Sequence, residues 1–175
     1  MNAQIAAATL LPVTDALNRP LRDLRLSVIE TCNFRCPYCM PEDSVPDELL
    51  GAHNRLSFAE IETVARSFIK HGVRKIRLTG GEPLLRKNLA QLVAQLKAIN
   101  GLQDLALTTN GSLLAAQAQA LKQAGLDRIT ISVDALDAEI FKQMSGGRGD
   151  IATVLNGIEA AKQAGFKQIK INLYR

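Results

Sequence analysis

Gly72-Val73-Arg74-Lys75-Ile76-Arg77-Leu78-Thr79-Gly80-Gly81-Glu82-Pro83 reads as a helix-ending glycine, a short alternating strand and a glycine-rich turn. The same order recurs at Gly101 before Leu105-Ala106-Leu107-Thr108, at Gly125 before Ile129-Thr130-Ile131-Ser132, and at Gly165 before Ile169-Lys170-Ile171-Asn172. Each glycine closes a segment whose apolar residues fall at helical spacing, the place where a helix end takes a left-handed residue. This helix–glycine–strand unit, used four times, joins a further strand over residues 24–29. Strands alternating with helices predict an α/β fold with a parallel sheet and right-handed crossovers. Five strands suffice for most of a partial (β/α) barrel.

The alternation within the strands carries a second message. Parallel strands covered on both faces normally read as continuous apolar runs. Here one face holds Ile76 and Leu78, Leu105 and Leu107, Ile129 and Ile131, Ile169 and Ile171, the set expected to pack on helices. The other holds Arg25 and Ser27, Arg77 and Thr79, Thr108, Thr130 and Ser132, Lys170 and Asn172. A dry barrel interior is filled with branched aliphatics, and unpaired cations there are costly. The pattern therefore predicts a wet cavity for a polyanionic ligand, with Arg and Lys for phosphates and hydroxyls for ribose or base. The alternative is a sheet with one face in open water.

Flanking segments agree with this frame. Ser57 and Glu60 form a capping box ahead of a helix with Phe58, Ile61, Val64, Ala65, Phe68 and Ile69 on one side. A second helix carries Leu89, Leu92, Val93 and Leu96, and a third runs over about 113–125. A fourth region begins after Leu136, breaks at Gly146-Gly147-Arg148-Gly149, and resumes with Asp150 as N-cap. Residues 1–20 are a lead-in that Pro12 and Pro20 keep from regular structure, and residues 41–56 are a loop. The core then spans 21–175. Beyond the strand ends lie the cysteine loop, Gly80-Gly81-Glu82-Pro83, Thr109-Asn110-Gly111 and Val133-Asp134, at the rim where βα proteins place active sites.

All three cysteines fall in Glu30-Thr31-Cys32-Asn33-Phe34-Arg35-Cys36-Pro37-Tyr38-Cys39-Met40-Pro41, spaced C-x3-C-x2-C. So tight a cluster is a ligand set, since thiolates are soft donors for zinc or iron–sulfur groups. Three thiolates leave one position for a residue elsewhere or for an open, catalytic site. A zinc knuckle closed by His53 or His71 is the structural alternative. Thiols kept for a metal favour the reducing cytoplasm. The 175 residues, 47% hydrophobic with a formal charge of +4, fit one domain, and the modest, dispersed charge does not argue for nucleic acid. Neither a signal peptide nor a membrane span is read.

At the cysteine motif, and in Leu24-Arg25-Leu26-Ser27-Val28 before it, the sequence resembles the radical S-adenosylmethionine (radical SAM) superfamily. Within it, the resemblance is to the GTP 3′,8-cyclase family of molybdenum cofactor biosynthesis, over about residues 15–170. The resemblance implies a partial barrel of about six strands, five of them present. It implies a 4Fe-4S cluster on Cys32, Cys36 and Cys39, with S-adenosylmethionine chelating the open iron. It places Tyr38, Gly81, Glu82 and Ser132 on the cosubstrate, and Arg25, Arg77, Thr108 and Lys170 on GTP. The implied reaction generates a 5′-deoxyadenosyl radical that removes the ribose 3′ hydrogen. The ribose radical then attacks C8, giving (8S)-3′,8-cyclo-7,8-dihydroguanosine 5′-triphosphate. A reductant protein is implied as electron source.

Family chains are longer, with a sixth strand and a second three-cysteine cluster. The expectation is therefore a C-terminally truncated core that loads the first cluster but turns GTP over poorly or not at all. Its last strand is an exposed edge, which allows a homo-oligomer. Another radical SAM reaction, such as peptide modification, and a zinc-stabilised binding module are the competing readings.

Overall fold

The computed structural model describes residues 13–40 and 55–173. Five strands, β1 (Asp23–Ser27), β2 (Lys75–Thr79), β3 (Asp104–Thr109), β4 (Arg128–Ser132) and β5 (Ile169–Asn172), form one sheet in sequential order, every pair parallel. Between them run α1 (Phe58–Lys70), α2 (Leu89–Lys97), α3 (Leu114–Gln123), α4 (Ala138–Met144) and α5 (Ile151–Gln163). The four-fold repeat of the sequence is thus the repeat of the fold. Gly72 turns the chain at φ 112°, and Gly101, Gly125 and Gly165 do the same with positive φ.

The helix starts follow the chemistry of their caps. Ser57 and Glu60 make the reciprocal capping box at α1, while the Asp137 and Asp150 carboxylates accept the first free N–H groups of α4 and α5. The core lies between sheet and helices. Ile76, Leu78, Leu105, Leu107, Ile129 and Ile131 are fully buried, packed with Leu89, Leu92, Leu96, Leu114, Leu121 and Val154. Side chains at these positions alternate through the sheet, so the polar set shares the other face.

Two expectations are corrected. Ile171 does not join the covered face: it is 41% exposed, because no described helix follows β5 to lie over it. Pro20 does not exclude regular structure, since Thr14 and Pro20 form an antiparallel bridge. The bridging bonds run from Leu21 N to Val13 O and from Asp15 N to Arg19 O, so the missing N–H of Pro20 costs nothing. Between β2 and α2 there is also a turn of 3-10 helix, Pro83–Leu85, that periodicity does not announce. Residues 41–54, including His53 and most of the expected loop, lie outside the described residues.

Candidate active site at the carboxyl ends of the strands

Because every strand is parallel, the segments that follow them gather along one edge of the sheet. The cysteine loop, residues 28–40, follows β1 and is tied down from several sides. Gly81 N donates to Ile29 O at 2.7 Å and Glu82 N to Thr31 O at 2.8 Å, joining it to the turn after β2. A Cβ on Gly81 would stand 2.1 Å from Thr31 O, so only glycine permits that approach. Arg55 Nε reaches both oxygens of Glu30 at 2.8 Å. On the far side Arg35 N donates to Ser145 O at 3.0 Å, and Phe34 meets Phe141 edge to face with centroids 6.1 Å apart.

The three thiols sit in different surroundings. Cys32 and Cys36 are half-buried and Cys39 is exposed. Burial pushes the Cys32 thiol up, against a hydrogen bond from Phe34 N at 3.4 Å and one from Asn110 Nδ2 at 3.8 Å. Burial likewise pushes Cys36 up, against a contact from Tyr38. Among the described residues no group of three or more His, Cys, Asp or Glu closes on a single metal position. His71 is the C-cap of α1.

Glu82 binds the rim together from inside. Its side chain is 1% exposed, and Oε1 accepts from Leu84 N at 3.0 Å and Thr109 Oγ1 at 2.7 Å. Its Oε2 accepts from Asn110 N at 2.7 Å, so one carboxylate fastens the end of β3 to the turn after β2. Burial raises this carboxyl, against three hydrogen bonds that favour the charged form.

Tyr38 reaches across to the end of β4, its hydroxyl donating to Asp134 Oδ2 at 2.5 Å. Burial first, and then that bond, hold the phenol well above its ordinary pKa. Tyr38, Ser132, Asp134 and Asn172 line one cavity of about 400 Å³, so two residues expected on the cosubstrate share a space.

The polar face of the sheet descends from this rim in rows set by the register. Arg25 pairs with Arg77, Arg77 with Ala106 and Ala106 with Arg128; one row nearer the rim, Thr108 pairs with Thr130 and Thr130 with Lys170. Arg25, Arg77 and Lys170 are exposed on it. A cleft of about 240 Å³ at its lower end is lined by Asp23, Arg25, Lys75, Arg77 and Arg128. Arg128 is paired with Asp104, its Nε 2.8 Å from Oδ1. The Thr108 hydroxyl is buried with no hydrogen-bond partner among the described residues, which is costly for a polar group unless something else meets it.

The site residues expected from sequence thus fall on one rim and one face. Missing from that set were Asn33, Ser112, Phe141 and Gly146, which brace the cysteine loop. Gly146 reads in the sequence only as a break between helices, yet at φ 69° it presses so close that a Cβ would stand 2.1 Å from Arg35 O. The paired glycines were the one available signal.

Comparison with known proteins agrees with this geometry. The chain is 66% identical over 162 residues to a GTP 3′,8-cyclase of Xanthomonas campestris pv. campestris (strain 8004), covering 92% of this chain and 48% of that one. It is 51% identical to a GTP 3′,8-cyclase of Acidothermus cellulolyticus, covering 92% and 45%. The chain therefore spans about half the length of these curated relatives. Among solved structures, Streptococcus suis SuiB bound to precursor peptide SuiA superposes with TM-score 0.69 at 19% identity, covering 86% of this chain and 32% of that one, a likeness of fold. No helix among the described residues is long and apolar enough to cross a membrane. The radical SAM superfamily model matches residues 26–174, nearly the whole sheet with its cysteine loop, and the chain belongs to that superfamily.

Proposed function

We propose that these residues form the cluster-binding and cosubstrate-binding half of a GTP 3′,8-cyclase. The observation that carries the reading is a C-x3-C-x2-C loop fixed to the carboxyl ends of a parallel sheet whose open face presents Arg25, Arg77 and Lys170. The donor set fits an iron–sulfur cluster. Such a cluster takes each thiolate on a separate iron, so the ligands need not close on one metal point, and N–H donors at the Cys32 sulfur suit a bound thiolate. Cys32, Cys36 and Cys39 are assigned as its ligands. When bound, the cluster supplies the electron that cleaves S-adenosylmethionine.

The chain's own work is binding and orientation. Tyr38 and Ser132 line the cavity assigned to the cosubstrate, with Tyr38 held in place by Asp134. Gly81 and Glu82 are assigned to its methionine amino group, whose ammonium needs acceptor oxygens on that turn. Arg25, Arg77 and Lys170 are assigned to the GTP phosphates, and the unpartnered Thr108 hydroxyl to the nucleoside. A cytoplasmic reductant protein belongs to the same reading, as does the expectation that GTP turnover by these residues alone is absent or very poor.

The test is anaerobic reconstitution with iron and sulfide, followed by visible and EPR spectra with and without S-adenosylmethionine. A reducible four-iron signal that changes on adding the cosubstrate supports the proposal. A tight zinc site with no cluster removes it. With the cluster loaded, Arg77→Ala should weaken GTP binding about tenfold while cosubstrate binding holds, as loss of one charged phosphate contact does; equal loss for both ligands would refute the assignment of Arg77.

A further inference from the structure

The side-chain amide of Asn110, just past β3, is fixed on both sides. Its Oδ1 accepts from Ser112 N at 3.0 Å and from Ser112 Oγ at 2.7 Å. Its Nδ2 donates to Asn33 Oδ1 at 2.9 Å. Turning the amide over would set an NH2 group against the Ser112 N–H, which cannot accept, so the orientation is determined. The second hydrogen on Nδ2 is left to face Cys32, whose Sγ lies 3.8 Å away. From below, Asn110 N is held by the buried Glu82 carboxylate at 2.7 Å. Cys39, by contrast, is exposed.

We propose that Asn110 is a positioning residue that donates a hydrogen bond to the Cys32 sulfur and thereby raises the reduction potential of the cluster that Cys32 holds. The inference rests on the cluster reading above. A separation of 3.8 Å is long for a bond to a neutral thiol; negative charge on a metal-bound thiolate draws the donor in, as charge-assisted bonds are shorter and stronger. Donors on cluster sulfurs favour the more negative, reduced state, so their number and aim tune the potential. Asn110 also links that sulfur to the rim. The chain Glu82–Asn110–Cys32 joins the turn assigned to the cosubstrate with one cluster ligand, whereas the amide ring Asn33–Ser112–Asn110 keeps the donor aimed.

Asn110→Asp keeps the shape and replaces the donor with an anionic acceptor, and Asn110→Ala removes the group. The wild-type chain and both variants are reconstituted anaerobically, assayed for iron, and titrated with EPR detection. Both variants should have midpoints below the wild-type value at equal iron content, Asn110→Asp the lower of the two. Unchanged midpoints would overturn the inference, because a brace that only supports the loop alters iron retention and leaves the potential alone. Should a variant fail to hold a cluster, the metal-free wild-type chain gives a second reading. Its Asn110 side-chain amide resonances should move in Cys32→Ala, and resonances that stay in place overturn the contact. A wild-type chain that takes up no cluster instead defeats the cluster reading, while the amide resonances still decide the contact by themselves.

Discussion

Glu82 shows how one side chain can serve a site without facing it. Three donors converge on its carboxylate, two of them main-chain N–H groups that can only donate. Glu82→Gln must therefore turn an NH2 toward one of them, leaving buried donors opposed. The expected cost is about 2 kcal/mol, read as a lower urea midpoint; an unchanged midpoint would mean that the carboxylate is not the fastening described. The sequence made the cysteines and the strand cations visible as candidates, because thiols in a fixed spacing and charges on an alternating strand carry their chemistry in their identity; Tyr38 became a candidate only through the family resemblance. A supporting place at the rim was legible for Asn110 from its position after β3, but its partners were not, nor were the bracing roles of Ser112 and Asn33. A polar amide is commonplace in loops, and only its partners, far away in sequence, give it a purpose.

Among the elements, what was legible is what periodicity and end chemistry encode. The four helix–glycine–strand units, the capping box at Ser57 and the cap at Asp150 are all local patterns, and each appears where expected. The Asp150 carboxyl is held below its ordinary value by the Thr153 hydroxyl first, then by the N–H groups of Thr153 and Ala152. A lowered folded value means that the carboxylate contributes stability above its ordinary 3.8, lost as the pH falls through the folded value. Asp150→Ala should thus melt below wild type near neutrality, and the gap should close in acid; a gap that persists below that range would argue against the cap. Contacts between elements were less legible, as the junction of α4 and α5 shows. Gly146→Ala meets Arg35 O at 2.1 Å, whereas an alanine at Gly147 has nothing within 4 Å. Both glycines carry positive φ, so each alanine should cost about 1 kcal/mol of stability through added backbone strain, and Gly146→Ala should cost about 2 kcal/mol more by overpacking. Equal losses in urea unfolding would show that the junction does not press on the cysteine loop.

At the scale of the molecule, the sheet is sequential and parallel, with β1 and β5 as its edges among the described residues. Strand order of this kind was readable because short crossovers carry one strand to the next. Coverage was not: the alternation at Ile169 and Ile171 matches that of the buried strands, although Ile171 is 41% and Leu173 66% exposed. Apolar side chains beside strand groups that no other described strand pairs with invite pairing with another strand. Light scattering of these 175 residues on their own should show association that grows with concentration, and Ile171→Lys should weaken it while leaving the fold's circular dichroism intact. A chain that stays monomeric at all concentrations would count against that edge as a contact.

The cysteine loop is shaped by partners that the ribosome delivers much later. Tyr38 and Asp134 are separated by 96 positions, Asn33 and Ser112 by 79, and the support at Ser145 comes later still. During synthesis the three thiols therefore emerge long before anything exists to hold them in place. On the proposed reading, a cluster on these thiols is held in its final setting only once that later stretch has been made and packed, and in the interval the nascent thiols are open to oxidation.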